Sequence, residues 1–98
     1  GISGKTAWRV SEKLGELGNA HQIICITHLP QIAAMADSHF LISKKVQDGS
    51  TISSIDMLGD EESIREIARM VGADEINDSA TEHARNMRAQ AMQFKKIK

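Results

Sequence analysis

Two places in this chain carry residues whose type and setting suit them to chemistry: His28, and the opening run Gly1-Ile2-Ser3-Gly4-Lys5-Thr6. His28 stands after an apolar run and two residues before Pro30. A histidine between a strand's carboxyl end and a helix N-terminus can donate a hydrogen bond to a phosphate oxygen or to an attacking water, and its ordinary pKa makes it responsive near neutral pH. The plainer alternative is a histidine satisfied within a strand-end turn. Gly4-Lys5-Thr6 has the ending of a P-loop, in which backbone N–H groups, a lysine and a hydroxyl hold phosphates and Mg²⁺. The spacing is wrong for it. A P-loop needs a glycine five residues before its second glycine, whereas Gly1 comes three residues before Gly4, and no strand feeds the loop. A capped helix start with a lysine in its first turn accounts for the run on spacing alone.

Other chemistries find less support. His21, His39 and His83 form no pair at ligand spacing on one helix, and a lone Cys25 offers no cysteine pair, so no metal site is expected. Serine-hydrolase chemistry lacks its G-x-S-x-G elbow.

The elements that must position His28 follow from periodicity. Residues 23–27, three of them isoleucine, read as a strand buried on both faces. Pro30 lacks an N–H and has φ preset near the helical value, so it fits the first turn of a helix carrying Ile32, Ala33 and Ala36 inward. In open α/β sheets this edge is where ligands sit, and a helix N-terminus there favours an anion. Before that strand, Ala7, Val10, Leu14 and Leu17 form a helical stripe, with Ser3 capping its start, Trp8 beside it and Gly18 supplying a left-handed stop. After it, residues 39–46 and 51–58 read as strands. Asp48-Gly49 between them predicts a type I′ hairpin, because both centres of that turn need positive φ. The strand at 23–27 and the strand at 39–46 should form a short parallel β-α-β crossover.

Asp60, Glu61 and Glu62 place negative charge at the start of a further helix with Ile64, Ile67, Ala68 and Val71 inward and Gly72 at its end. The last helix opens with Ser79 and Glu82 at capping-box spacing and carries Ala80, Ala84, Met87, Ala91 and Phe94 as its stripe. Lys95, Lys96 and Lys98 then complement the dipole at that helix's C-terminus. The expected order is α, β, α, β, β, α, α. A single crossover and a hairpin leave the central strand needing a neighbour, so this is the tail of an α/β domain whose missing strand is expected upstream of Gly1.

The bounds agree. Ninety-eight residues allow one small domain, and 12 basic against 13 acidic residues, a formal charge of -1, give no global pull toward nucleic acid or membrane. Cys25 inside the apolar run reads as an inert core residue, consistent with a reducing cytoplasm. No run has the length of a membrane span or the layout of a signal peptide.

Taken together, "GISGKTA", "HQIICITHLPQIAAMADSHFLISK" and "ARMVGADEINDSATEHARNM" resemble the C-terminal part of the RecN family of bacterial DNA repair proteins, SMC-like proteins with an ABC-type ATPase head. The resemblance covers essentially the whole chain, and "ITHLPQIAAMAD" is its most specific string. It implies that residues 1–98 are one partial domain, the C-terminal lobe of a P-loop NTPase fold that begins at the D-loop, with Walker A, signature and Walker B absent. Gly1, Ile2, Ser3 and Gly4 look like the D-loop region at the interface between two heads, with Ser3 where an aspartate commonly stands. His28 matches the switch histidine of the H-loop, which contacts the γ-phosphate, and Lys5 and Thr6 lose their P-loop meaning.

The cofactors implied are ATP and Mg²⁺ in the intact protein, and the partners are the N-terminal head portion, a second head across ATP, and DNA, in a cytoplasmic, nucleoid-associated setting. One hydrogen bond to a charged phosphate is worth about 1.5–3 kcal/mol, so the isolated chain is expected neither to bind ATP tightly nor to hydrolyse it. Its open strand edge invites self-association or swapping. Two other functions compete: an independent small nucleotide-binding protein using Gly4, Lys5 and Thr6, and an interaction module whose last helix and lysines bind DNA or a protein.

Overall fold

A computed structural model describes residues 3–72 and 77–97. It contains helices α1 (Gly4–Leu17) and α2 (Pro30–Met35), strands β1 (Phe40–Gln47) and β2 (Ser50–Met57), and helices α3 (Asp60–Val71) and α4 (Asp78–Ile97). Gly1, Ile2 and Lys98 lie outside the described residues. The chain is therefore a mixed α and β structure, with one two-stranded antiparallel sheet among the described residues.

Side chains satisfy backbone N–H groups at the starts of α1, α3 and α4, whereas α2 has no side-chain cap and opens on Pro30 instead. Ser3 Oγ accepts from the Thr6 N–H at 3.2 Å, the expected cap of α1. At α3 the Gly59 N–H donates to Glu62 Oε1 at 2.9 Å, and Asp60, Glu61 and Glu62 all sit in the first turn. For α4 the expected cap, Ser79, is displaced: Asn77 Oδ1 accepts from the Ala80 N–H at 2.8 Å, which starts the helix at Asp78. Gly18 also departs from expectation, since its φ of -64° is right-handed and the chain leaves α1 through ordinary turns at residues 18–20.

The core is helical. Ala33, Ala34 and Met35 of α2 pack with Ile67 and Ala68 of α3 and with Ala80, Ala84, Met87 and Ala91 of α4; Trp8 and Phe94 pack against this cluster. Most of these residues are small, so the helices approach closely. On α1 a Cβ added at Gly15 would meet Met35 Sδ at 3.2 Å, a distance that requires the methionine to move. The α1 stripe is rotated from its predicted position. Ala7 and Ser11 are fully buried while Val10 and Leu17 are exposed. Ser11 tolerates burial because its hydroxyl donates to the Trp8 carbonyl at 2.7 Å.

The hairpin forms as predicted, with Asp48 at φ 51° and Gly49 at φ 79° and β1 antiparallel to β2. Phe40 stands opposite Met57 and Ile42 opposite Ile55, and this whole apolar face is exposed. The expected strand at 23–27 does not form. Residues 22–27 carry no regular structure, and Ile24 and Ile26 are 87 % and 86 % exposed. A strand holds only when a neighbour takes its backbone N–H and C=O groups, and no described residue does so here. The parallel crossover fails with it, and Cys25, expected in the core, is exposed.

Candidate functional site around His28

The turn that carries His28 is fixed from both sides in sequence. Thr27 Oγ1 accepts from the Leu29 N–H at 2.9 Å, and Pro30 opens α2 directly after Leu29. His28 is exposed and makes no hydrogen bond or ion pair with the described residues, so its imidazole is free to meet a ligand. Because α2 has only six residues, its dipole is a minor term here, and the histidine itself is the chemical group the turn presents.

Close by lies the described part of the opening run, Ser3 to Thr6. A Cβ built on Gly4 would come to 3.4 Å from Gln31 Nε2, so the first turn of α1 rests beside the first turn of α2. Gly4 thus lies within reach of the side chain of Gln31, the second residue of α2, while Gly1 and Ile2 lie outside the described residues. Thr6 gives its N–H to Ser3 Oγ, and its hydroxyl accepts from that same oxygen at 3.1 Å. This is the geometry of a capped helix start, with the threonine engaged locally.

The far end of α2 is held by α4. Arg88 Nη1 donates to the Ala34 carbonyl at 2.7 Å and to the Ala36 carbonyl at 2.9 Å. Lys95 Nζ donates to the Met35 carbonyl at 2.8 Å and to Asp37 Oδ1 at 2.7 Å. These are carbonyls that a helix end leaves without internal partners. Lys95 therefore serves the C-terminus of α2, not that of its own helix as the sequence suggested. Arg88 was missed altogether. Its signal was available: Ala84, Arg88, Ala91 and Lys95 follow one helical face, so two cations lie on an otherwise apolar stripe.

A third contact ties the hairpin to the helices. His39 Nδ1 and Ser63 Oγ lie 2.7 Å apart, hydrogen-bonded in a direction set by the tautomer. Burial lowers the pKa of His39; Glu66 opposes that shift and Arg88 adds to it. On the surface, Arg85 forks onto Glu61 at 2.8 and 2.9 Å, which lowers the carboxyl's pKa. Among the described residues no group of three or more His, Cys, Asp or Glu side chains is arranged to hold a metal ion. Nor is any described helix long and apolar enough to cross a membrane.

No protein-family model matches the chain. Curated relatives do. A DNA repair protein RecN from Bacillus subtilis (strain 168) is 41 % identical over 97 % of this chain and 16 % of its own length. The proteins of the same name from Deinococcus radiodurans and Xylella fastidiosa (strain 9a5c) are 42 % and 46 % identical over 91 % and 82 % of the chain. The chain spans about a sixth of these relatives, 16 % and 14 % in the last two cases. The matched stretches take in nearly the whole sequence, His28 and the turn around it included, and the chain belongs to the RecN family.

Proposed function

We propose that this chain is the C-terminal segment of an ABC-type ATPase head in a RecN-type protein that acts in DNA double-strand break repair, and that His28 is its switch histidine. The observation that carries this reading is the unengaged, exposed imidazole held between Thr27 and Pro30. A free imidazole N–H at this turn would donate to a terminal phosphate oxygen and sense whether that phosphate is attached, an electrostatic and positional role. The described residues fit one contact to ATP and do not form a phosphate cradle, since the Thr6 hydroxyl and N–H are turned to Ser3. Among the described residues no group of three or more His, Cys, Asp or Glu side chains is gathered for a metal ion, and on this reading Mg²⁺ would be held by the rest of the head.

On this reading the remaining contacts to ATP come from the N-terminal head portion. Gly1, Ile2, Ser3 and Gly4 form the D-loop region facing a second head, and DNA is engaged by the intact, cytoplasmic protein. The apolar side chains left in solvent, Ile24 and Ile26 with Phe40, Ile42 and Ile55, support a segment that is part of a larger sheet. The competing readings lose ground on contacts. An independent site at Gly4-Lys5-Thr6 would need Thr6, and a basic DNA-binding tail would need Lys95, which is committed to Met35 and Asp37.

Substituting His28 tests the proposal. In the full-length protein His28→Ala is expected to lower ATP turnover by about 10- to 100-fold, the loss of one hydrogen bond to a charged phosphate, with ATP binding largely kept. Turnover at the wild-type rate would overturn it. Turnover by the 98-residue chain alone would overturn the view that the site is completed elsewhere.

A further inference from the structure

We propose that Arg88 and Lys95 are positioning residues for His28, holding the turn in place through α2; this rests on the switch-histidine reading above. A helix of six residues is too short to persist by its own hydrogen bonds. It forms only where its ends are satisfied and its face is buried. The face is buried through Ala33, Ala34 and Met35. The N-terminal end needs little, because Pro30 has no N–H to satisfy and the Leu29 carbonyl already accepts from Ile32 and Ala33 at 3.1 and 3.2 Å. At the C-terminal end the carbonyls of Ala34, Met35 and Ala36 point at α4, and all three accept from just two cations.

Those cations lie seven residues apart on one face of α4 and are flanked by the buried Ala84 and Ala91. Their stems are therefore fixed by the same packing that holds α4 in place. The side chain of Lys95 is only 23 % exposed, against 89 % for its partner Asp37, so the lysine, not the aspartate, is the anchored member. At 1.5 Å per residue α2 is about 9 Å long, and His28 sits two residues beyond its start. Freedom at the clamped end becomes displacement at the histidine. Catalytic groups are sensitive to this, since an error of about 1 Å in placement costs rate without necessarily costing affinity.

The experiment uses the full-length protein with Arg88→Met and Lys95→Met, which keep an apolar stem and remove the donor. Arg88→Lys serves as the conservative variant, and Arg85→Gln, three residues away on α4 and forked onto Glu61 at the surface, controls for lost charge. Amide hydrogen exchange at residues 32–36 should rise about tenfold in both methionine variants while exchange in α3 stays put. The kcat for ATP hydrolysis should fall roughly three- to tenfold with KM within about twofold. Arg88→Lys should recover much of both effects, and Arg85→Gln should match the wild type. Unchanged exchange at 32–36 overturns the proposal. So does raised exchange with unchanged kcat in a protein whose His28→Ala variant is slow. Should His28→Ala itself leave kcat unaltered, the switch-histidine reading falls, and the positioning claim toward His28 falls with it, whatever the exchange data say of α2.

Discussion

In the helical part of the molecule Ile67 is completely buried, whereas Ile24 and Ile26 ahead of α2 and Ile55 in the hairpin are 87, 86 and 68 % exposed. The side chain is the same in all four places. What differs is how the backbone is satisfied. A helix closes its own N–H to C=O bonds, so α3 and α4 need only bury one stripe against each other. A strand borrows its hydrogen bonds from a neighbour; β1 and β2 find one in each other, and residues 22–27 find none among the described residues. An apolar run thus predicts burial only when both the faces and the edges of its element have somewhere to go.

Substitutions can break this contrast or sharpen it. The largest effect is expected at Ile67→Ala, which should cost about 2–4 kcal/mol in urea unfolding because it opens a cavity where, among the described residues, a large apolar side chain is fully enclosed. A loss under about 1 kcal/mol would mean that the helical core is far looser than described. The His39 contact should give a smaller, pH-dependent effect. Its folded pKa lies below the ordinary 6.5, so the unfolded chain binds the proton more readily. Stability from this group is present above the unfolded value and is lost as pH falls through the folded one. A plot of unfolding midpoint against pH should therefore slope downward on the acid side of 6.5, and His39→Gln should flatten that slope. Ile24→Thr should be nearly silent, within about 0.5 kcal/mol in the isolated chain, as for any exposed site. A clear loss there would show that the segment is packed after all.

Legibility in the sequence followed the reach of each cause. The turn at Asp48 and Gly49 was readable because its φ requirement is local, and α3 because its acidic first turn and apolar stripe lie within a dozen residues. The placement of His28 before α2 was readable for a similar reason, since Pro30 sets the helix start. Caps were only partly readable: Asn77 and Ser79 are both good caps, and which one wins depends on how α4 meets its neighbours. The clamp on α2 was hidden. Arg88 and Lys95 act on residues 52 to 60 positions away, and no periodicity announces a contact of that range. His39 and Ser63, 24 positions apart, were hidden in the same way.

The exposure of Cys25 has a consequence for handling the protein. It is the only cysteine in the chain, so any disulfide it forms with its own kind must join two chains. In a non-reducing buffer, a covalent pair of chains would accumulate with time through this one thiol. Its mass would be that of a dimer, yet it would say nothing about whether the apolar faces associate. Only in the presence of a reductant does the sedimentation of this chain report on those surfaces.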